Sequence, residues 1–284
     1  MGEKVYVEGE FTEEKDRYVF QYTTTRDEWS RLPPHPACYS TMAQFVGTLI
    51  AVGCWISGKV YSSKVYCFKE ESQEWEEFLK PMPTPRYLLN SATTQSAIIA
   101  SGGVTSVSDL MSVVCATVEV YSSESSQWYT ADPLPAPYYW MSSVTIADTC
   151  YLLGGRDDDN DVATVLYAHL TSLIQKATSP AHQLASYTSV WKTLPDTPLK
   201  RSAAASLSGH LLAVGGRDSV TTTSAVHVFI PFTNSWVSVM DGDLPQPRHA
   251  CTAVQLSTNT MIVIGGKDNQ NKLTKTVFIG TITV

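Results

Sequence analysis

Residues 211–216 read LLAVGG, a short apolar strand closing on Gly215-Gly216, and the same pattern recurs along the chain. It returns as AIIASGG ending at Gly102-Gly103, CYLLGG at Gly154-Gly155 and MIVIGG at Gly265-Gly266. Two weaker copies come earlier, VYVEG ending at Glu8-Gly9 and IAVGC at Gly53-Cys54. The second residues of these pairs stand at 9, 54, 103, 155, 216 and 266, so the intervals are 45, 49, 52, 61 and 50. A near-constant period of this size marks a repeat architecture, in which one unit cannot bury a core alone and must pack on its neighbours.

Each Gly-Gly strand is followed by a polar loop and a second strand with an aromatic near its end. A tryptophan then comes at a fixed distance. Tyr22 and Trp29, Phe68 and Trp75, Tyr121 and Trp128, and Phe229 and Trp236 are all seven residues apart. A hairpin of constant length explains that spacing. Beyond each tryptophan lies a proline-rich connector: RLPPHPA, PMPTPR, PLPAPYY, LPDTPLKR and DLPQPR. These hold thirteen of the fifteen prolines. Proline cannot continue a sheet ladder, so each connector ends one sheet and leads to the next. A strand of small residues precedes each Gly-Gly strand: STMAQFVG, NSATTQS, MSSVTIAD, SAAASLSG and CTAVQLS. Small side chains suit the innermost strand of a radial arrangement, and the glycines suit close backbone approach.

The Gly-Gly, the aromatic, the tryptophan seven residues on and the P-[ML]-P-x-x-R connector together resemble the kelch repeat. The resemblance spans essentially the whole chain and implies an all-β fold, a β-propeller of four-stranded blades. A single propeller over 1–284 is expected, with repeats at approximately 1–37, 38–86, 87–138, 139–201, 202–248 and 249–284. The count gives six Gly-Gly strands, six aromatic strands, five inner strands and five tryptophan strands. Six complete blades need two more, the first inner strand and the last outer strand. The expectation is therefore a six-bladed kelch-type propeller lacking about two N-terminal strands, or closed by another segment. Repeat four carries extra residues, about Thr171 to Thr188. LTSLIQKA suggests a helical turn and the remainder a tolerated loop.

The net charge of −7 lacks the basic footprint of a nucleic-acid or anionic-membrane binder. No apolar run reaches the length of a membrane span. The six cysteines (Cys38, Cys54, Cys67, Cys115, Cys150, Cys251) have neither metal nor redox-pair spacing, and no N-x-[ST] sequon occurs. An intracellular, cytoplasmic protein with reduced thiols is expected.

Antiparallel pairing places the residues after each Gly-Gly and those after each proline connector on one rim. The aromatics of that rim are Tyr39, Trp55, Tyr87, Tyr138 and Trp140, joined by Tyr139. Its basic residues are Arg156, Arg201, Arg217 and Lys267, with Lys200, Arg248 and His249 beside them. Aromatic residues and arginine are the side chains enriched at binding hot spots. In proteins the chain resembles, this face receives a peptide or partner loop. The plainer readings are that Arg156-Asp157, Arg217-Asp218 and Lys267-Asp268 neutralise themselves, and that Arg86 and Arg248 hold adjacent blades together.

The run Asp157, Asp158, Asp159, Asn160, Asp161 lacks the turn glycine and distal glutamate of a calcium loop and reads as solvated. The histidines are scattered, and no nucleophile triad or phosphate loop is legible. The sequence therefore points to a non-catalytic protein-interaction module without cofactor. Its partner would be an acidic or aromatic-anchored peptide or protein, and the chain could belong to a larger multi-domain protein. The alternative is an enzyme or lectin-like domain handling a carbohydrate or small molecule at the mouth of the central channel.

Overall fold

In the repeats after the first, the Gly-Gly strand is a buried inner member of its sheet because its residues are apolar on both faces. A computed structural model describes residues 4–10, 17–33, 35–36, 39–57, 60–108, 111–179 and 188–281. The chain divides into two compact units, Met1–Pro137 and Tyr138–Val284.

In the first unit, β1 (Lys4–Glu10), β2 (Arg17–Thr23) and β3 (Glu28–Arg31) form a three-stranded antiparallel sheet. The next sheet runs in chain order through β4 (Thr41–Phe45), β5 (Thr48–Ser57), β6 (Val60–Lys69) and β7 (Glu74–Leu79). After β8 (Arg86–Tyr87), the third repeat sheet is β9 (Asn90–Thr93), β10 (Ala97–Ser101), β13 (Val118–Ser122) and β14 (Gln127–Thr130). Its post-glycine loop has grown into a hairpin, β11 (Val104–Ser108) and β12 (Met111–Val114), which pairs with β8 as a small extra sheet.

The second unit repeats the plan. Its first sheet is β15 (Ser142–Ile146), β16 (Thr149–Leu153), β17 (Val165–His169) and β18 (Lys192–Leu194). Then follow β19 (Ala203–Leu207), β20 (His210–Val214), β21 (Val226–Ile230) and β22 (Ser235–Ser238). Last come β23 (Thr252–Gln255), β24 (Thr260–Ile264) and β25 (Val277–Thr281). Among the described residues, the first repeat sheet thus has no inner strand and the last no outer strand, matching the inventory expected from the sequence.

Between β17 and β18 the expected helical turn is a full helix, α1 (Leu170–Thr178), with Leu170, Leu173 and Ala177 buried. Asp148 holds its start: the Asp148 carbonyl accepts from Leu170 N at 2.8 Å and its carboxylate from the Thr171 hydroxyl at 2.9 Å. The insertion is therefore built into the fold at its beginning; residues 180–187 lie outside the described residues.

The seven-residue spacing is a register. Tyr22 faces Trp29, Phe68 faces Trp75, Tyr121 faces Trp128 and Phe229 faces Trp236 as direct cross-strand partners. Their ring centroids are 5.0 to 5.5 Å apart. The indole has a second task that the spacing alone does not disclose. Trp75 donates to the Pro33 carbonyl at 3.2 Å, Trp128 to Lys80 at 2.7 Å and Trp236 to Pro195 at 2.9 Å. Each of these tryptophans ties its sheet to the point where the chain leaves the preceding one.

Small residues on the first strand of each sheet have the expected reason. Ala203, Ala205 and Leu207 of β19 pack with Cys251, Ala253, Met261 and Val263 of the following sheet. Ala204, between them, packs with Leu153 and Val165 of the preceding one. A strand whose alternate residues face two neighbouring sheets is buried on both sides, so bulk is excluded. The first strands also bond directly, Ala204 N donating to Ser142 Oγ at 2.7 Å.

Gly215 and Gly216 show why the pair is glycine. A Cβ on Gly215 would lie 2.5 Å from the Arg248 carbonyl oxygen, and one on Gly216 would lie 2.8 Å from that of Lys200. Both also have φ above +60°, where L side chains are strained.

Candidate ligand-recognition face

The rim expected from the sequence is assembled by backbone hydrogen bonds. Lys200 and Arg217 exchange both N–H···O bonds, at 2.9 and 2.8 Å. Tyr139 with Arg156 and His249 with Lys267 do the same in their own repeats. Tyr87 pairs with Val104 in the first unit. In these four repeats the post-glycine residue is thereby laid against the connector of its own repeat.

The residue after each connector partner adopts left-handed backbone. Leu88, Trp140, Arg201 and Ala250 have φ of 52°, 58°, 55° and 51°, and Tyr39 at the corresponding place has 59°. Non-glycine residues rarely adopt this conformation. It recurs because the chain must turn sharply from the connector into the inner strand.

In the first unit the structure brings Tyr39, Trp55 and Tyr87 together. The Tyr39 ring stands edge-on to Trp55 at 6.0 Å and to Tyr87 at 6.2 Å. Tyr61, not singled out in the sequence, stacks on Tyr87 at 4.7 Å, and its hydroxyl is 2.6 Å from that of Ser112. Tyr61 reaches the cluster because β5 and β6 continue pairing past Gly53, so the post-glycine segment is strand where a loop was expected. Ile56, Val60 and Met111, each about half exposed, lie at the ends of the two projecting hairpins.

In the second unit, Trp140, Arg156 and Arg201 line a cavity of about 200 Å³. Its floor and walls include Met141, Leu153, Gly155 and Ala250, with hydroxyls from Ser142, Ser202 and Thr252. The Arg201 guanidinium lies over the Trp140 ring, 5.5 Å from its centroid, and Arg156 lies 5.8 Å from that of Tyr139. Among the described residues Tyr138, half-buried, makes no comparable ring contact; Tyr139 takes that part. Asp161 serves both arginines, at 2.7 Å from Arg201 Nε and 3.5 Å from Arg156 Nε.

The acids expected to neutralise their neighbours are turned elsewhere. The Asp157 carboxylate accepts from the N–H groups of Asp159 and Asn160, and Asp218 from those of Val220 and Thr221. Asp268 accepts from Gln270 and Lys272. These amide bonds hold the Asp157 and Asp218 carboxyls below the ordinary range. Each aspartate staples its own loop, as Asx turns do. Among the described residues, Arg217 and Lys267 have no carboxylate within ion-pair distance.

His249, also on a connector, is fully buried, with Nδ1 3.0 Å from the Thr222 hydroxyl. Burial is the main cause that lowers its pKa, followed by the positive charges of Arg217, Arg201 and Lys267; a contact with Asn271 opposes them. The positive charges of three segments thus act against protonation of one buried imidazole.

The connector arginines Arg86 and Arg248 are not on this face. Both are completely buried. Arg86 donates to the carbonyls of Ala100, Gly102 and Thr117 and pairs with Glu119 at 2.9 Å. Arg248 donates to Gly265 and Thr276, beneath the ring of Phe278. Each joins adjacent repeats, as the plainer reading of the sequence has it. The side chain bonds the following repeat. The Arg248 carbonyl accepts from Gly216 N at 2.8 Å, and the Arg86 carbonyl lies against Gly53, both in the preceding one. The side chain of Glu10 lies outside the described residues. Among the described residues, no group of three or more His, Cys, Asp or Glu side chains is arranged to hold a metal ion, and no helix is long and apolar enough to cross a membrane.

This geometry defines an all-β propeller, and the solved structure of YjhT superimposes on the chain with a TM-score of 0.72. The two share 13% sequence identity, over 93% of this chain and 88% of that one. No family model matches the sequence. Among curated relatives, Kelch-like protein 41b of Danio rerio is 25% identical over 76% of this chain and 33% of its own length. Kelch-like protein terF of Aspergillus terreus is 26% identical over 87% of this chain and 54% of its own. Kelch-like protein 40 of Mus musculus is 26% identical over 70% and 29%. The chain has a β-propeller fold and is similar in sequence to these kelch-like proteins. It spans about a third to a half of the length of these relatives.

Proposed function

We propose that this propeller is a non-catalytic recognition module that binds an acidic peptide or partner loop on the connector face of its second unit. The observation carrying this reading is the set of basic side chains left available there. Arg217 and Lys267 lack a carboxylate partner among the described residues, while the neighbouring aspartates are committed to their own loops. An arginine over a tryptophan at a cavity rim is the kind of anchor that dominates binding energy. The aromatic cluster of the first unit offers a separate apolar contact for the same class of partner. The kelch-like relatives support a protein-interaction role.

Replacing Arg201→Glu together with Arg217→Glu reverses the charge without touching a buried connector arginine. Capture of partners from the source cell by the double variant should fall at least ~tenfold relative to wild type, as for loss of an arginine hot spot. Unchanged capture would count against this face.

A second reading takes the cavity as a small-molecule or carbohydrate site. Its three hydroxyl-bearing residues and the exposed Trp140 ring favour it. A glycan array with metal analysis separates the two readings: signal in either supports the small-molecule site, and silence in both supports the peptide site.

A further inference from the structure

We propose that the outer edge of β12 is a self-association site, at which two copies of this chain join their small sheets by antiparallel pairing about Val113. The site lies in the first unit. It is independent of the peptide-binding reading above, which stands or falls separately.

The open edge follows from hydrogen-bond parity. β11 and β12 pair with Val104 opposite Val114 and Ser106 opposite Ser112. Cys115 N donates to the Gly103 carbonyl at 2.9 Å. Bonded and non-bonded pairs alternate along an antiparallel ladder, so Thr105 with Val113 is the next bonded pair. Ser112 and Val114 therefore aim their N–H and C=O groups away from β11. β12 is the end strand of its sheet, in the order β12-β11-β8, and no strand receives those groups among the described residues. The strand that presents them is held in place. Its Ser112 hydroxyl is 2.6 Å from that of Tyr61, which stacks on Tyr87 of β8.

β12 also carries none of the devices that blunt an edge. Its sequence, MSVV, has no lysine, no proline and no charge. Between Arg86 and Glu119 the only charged residue is Asp109. Although the whole chain has a net charge of −7, this strand meets little repulsion from its own copy, and a charged partner finds no counter-charge on it.

Symmetry selects the occupant. The two outward-facing residues flank Val113. A twofold axis at Val113 sets Ser112 of each copy against Val114 of the other, and both pairs exchange N–H···O bonds. Val113 then faces the partner's Val113 as a non-hydrogen-bonded pair, the kind in which side chains approach most closely. Met111, 53% exposed, lies on the same side of the strand as Val113 and is covered by the second copy.

Sedimentation equilibrium of the full chain tests this. An edge of four residues buries less than a standard interface. The weight-average mass should therefore climb from monomer toward dimer between roughly 1 µM and roughly 1 mM. Val114→Pro removes an outward N–H and leaves the pairing with β11 intact, so the dimer should weaken at least ~tenfold. Val113→Lys sets like charges across the axis and should weaken it as much, which keeps the test decisive if the proline variant fails to fold. Val113→Cys in a Cys115→Ser background should form a disulfide-linked dimer with oxidised glutathione, because Cα atoms about 4.5 Å apart suit the bridge. Cys115→Ser alone should not.

Protein that stays monomeric throughout the range overturns the inference. A dimer that the edge variants leave intact, or that Val113→Cys does not cross-link, has its interface elsewhere and overturns it too. So does a monomeric wild type that takes up an uncharged extended peptide from a phage-displayed library and loses it in Val114→Pro, since the edge then belongs to a partner strand.

Discussion

The guanidinium of Arg201 lies over the indole of Trp140, and both side chains leave the backbone from the same strained conformation one repeat apart. Asp161 pins the arginine from the other side at 2.7 Å. The carboxylate thus occupies part of the charge that an acidic ligand would use. Replacing Asp161→Asn should strengthen binding of an acidic peptide about three- to tenfold, since a partly buried charge contact of this kind contributes ~1 kcal/mol. Anisotropy titrations at low and high salt check this, and the gain should shrink as salt screens it.

Arg86 and Glu119 form a pair that is almost completely buried, with Thr84 also donating to the carboxylate at 2.6 Å. Removing the arginine strands a buried negative charge. Arg86→Met should cost about 3–5 kcal/mol, the usual penalty for breaking a buried pair. Urea denaturation measures it, and the double variant Arg86→Met with Glu119→Leu should recover part of the loss.

Trp236 is held by its indole N–H to Pro195. In Trp236→Phe the ring still packs on Phe229 while the Pro195 carbonyl loses its donor. A loss of about 1–2 kcal/mol is expected, seen as a lower melting temperature without any change in peptide affinity.

His249 couples stability to pH. Its folded pKa lies below its ordinary value of 6.5 because the imidazole is buried among Arg217, Arg201 and Lys267. A base with a depressed folded pKa is neutral in the fold while the unfolded chain takes up a proton. Its stabilising contribution is therefore full above the unfolded pKa and is lost as pH falls toward the folded one. Melting temperature should fall between roughly pH 7 and pH 5, and His249→Gln should flatten that slope. His227, also lowered by burial, adds a part of the same sign that His249→Gln leaves in place.

The fold was legible because its signals are local. The Gly-Gly strands, the seven-residue spacing and the proline connectors each fix short-range geometry, and the strand inventory followed from them. The candidate site was legible only as a set of positions. Tyr39, Trp55 and Tyr87 do meet, and Trp140, Arg156 and Arg201 do share a cavity. Tyr61 escaped notice because it enters the cluster through a strand that runs past the glycine. Arg86 looks like Arg201 in sequence yet is buried, two connector positions earlier. The charge balance was hidden too: whether Asp157 neutralises Arg156 depends on where one carboxylate points, and it points at backbone amides.

The left-handed turn that carries Trp140 and Arg201 strains any L-residue with a Cβ by a similar amount, whatever lies beyond that atom. Folding is then nearly indifferent to which side chain stands there. The scaffold and the text written on it are separable, and a designer could re-letter these positions, Ala250 first, to redirect the face while the sheets beneath stay as they are.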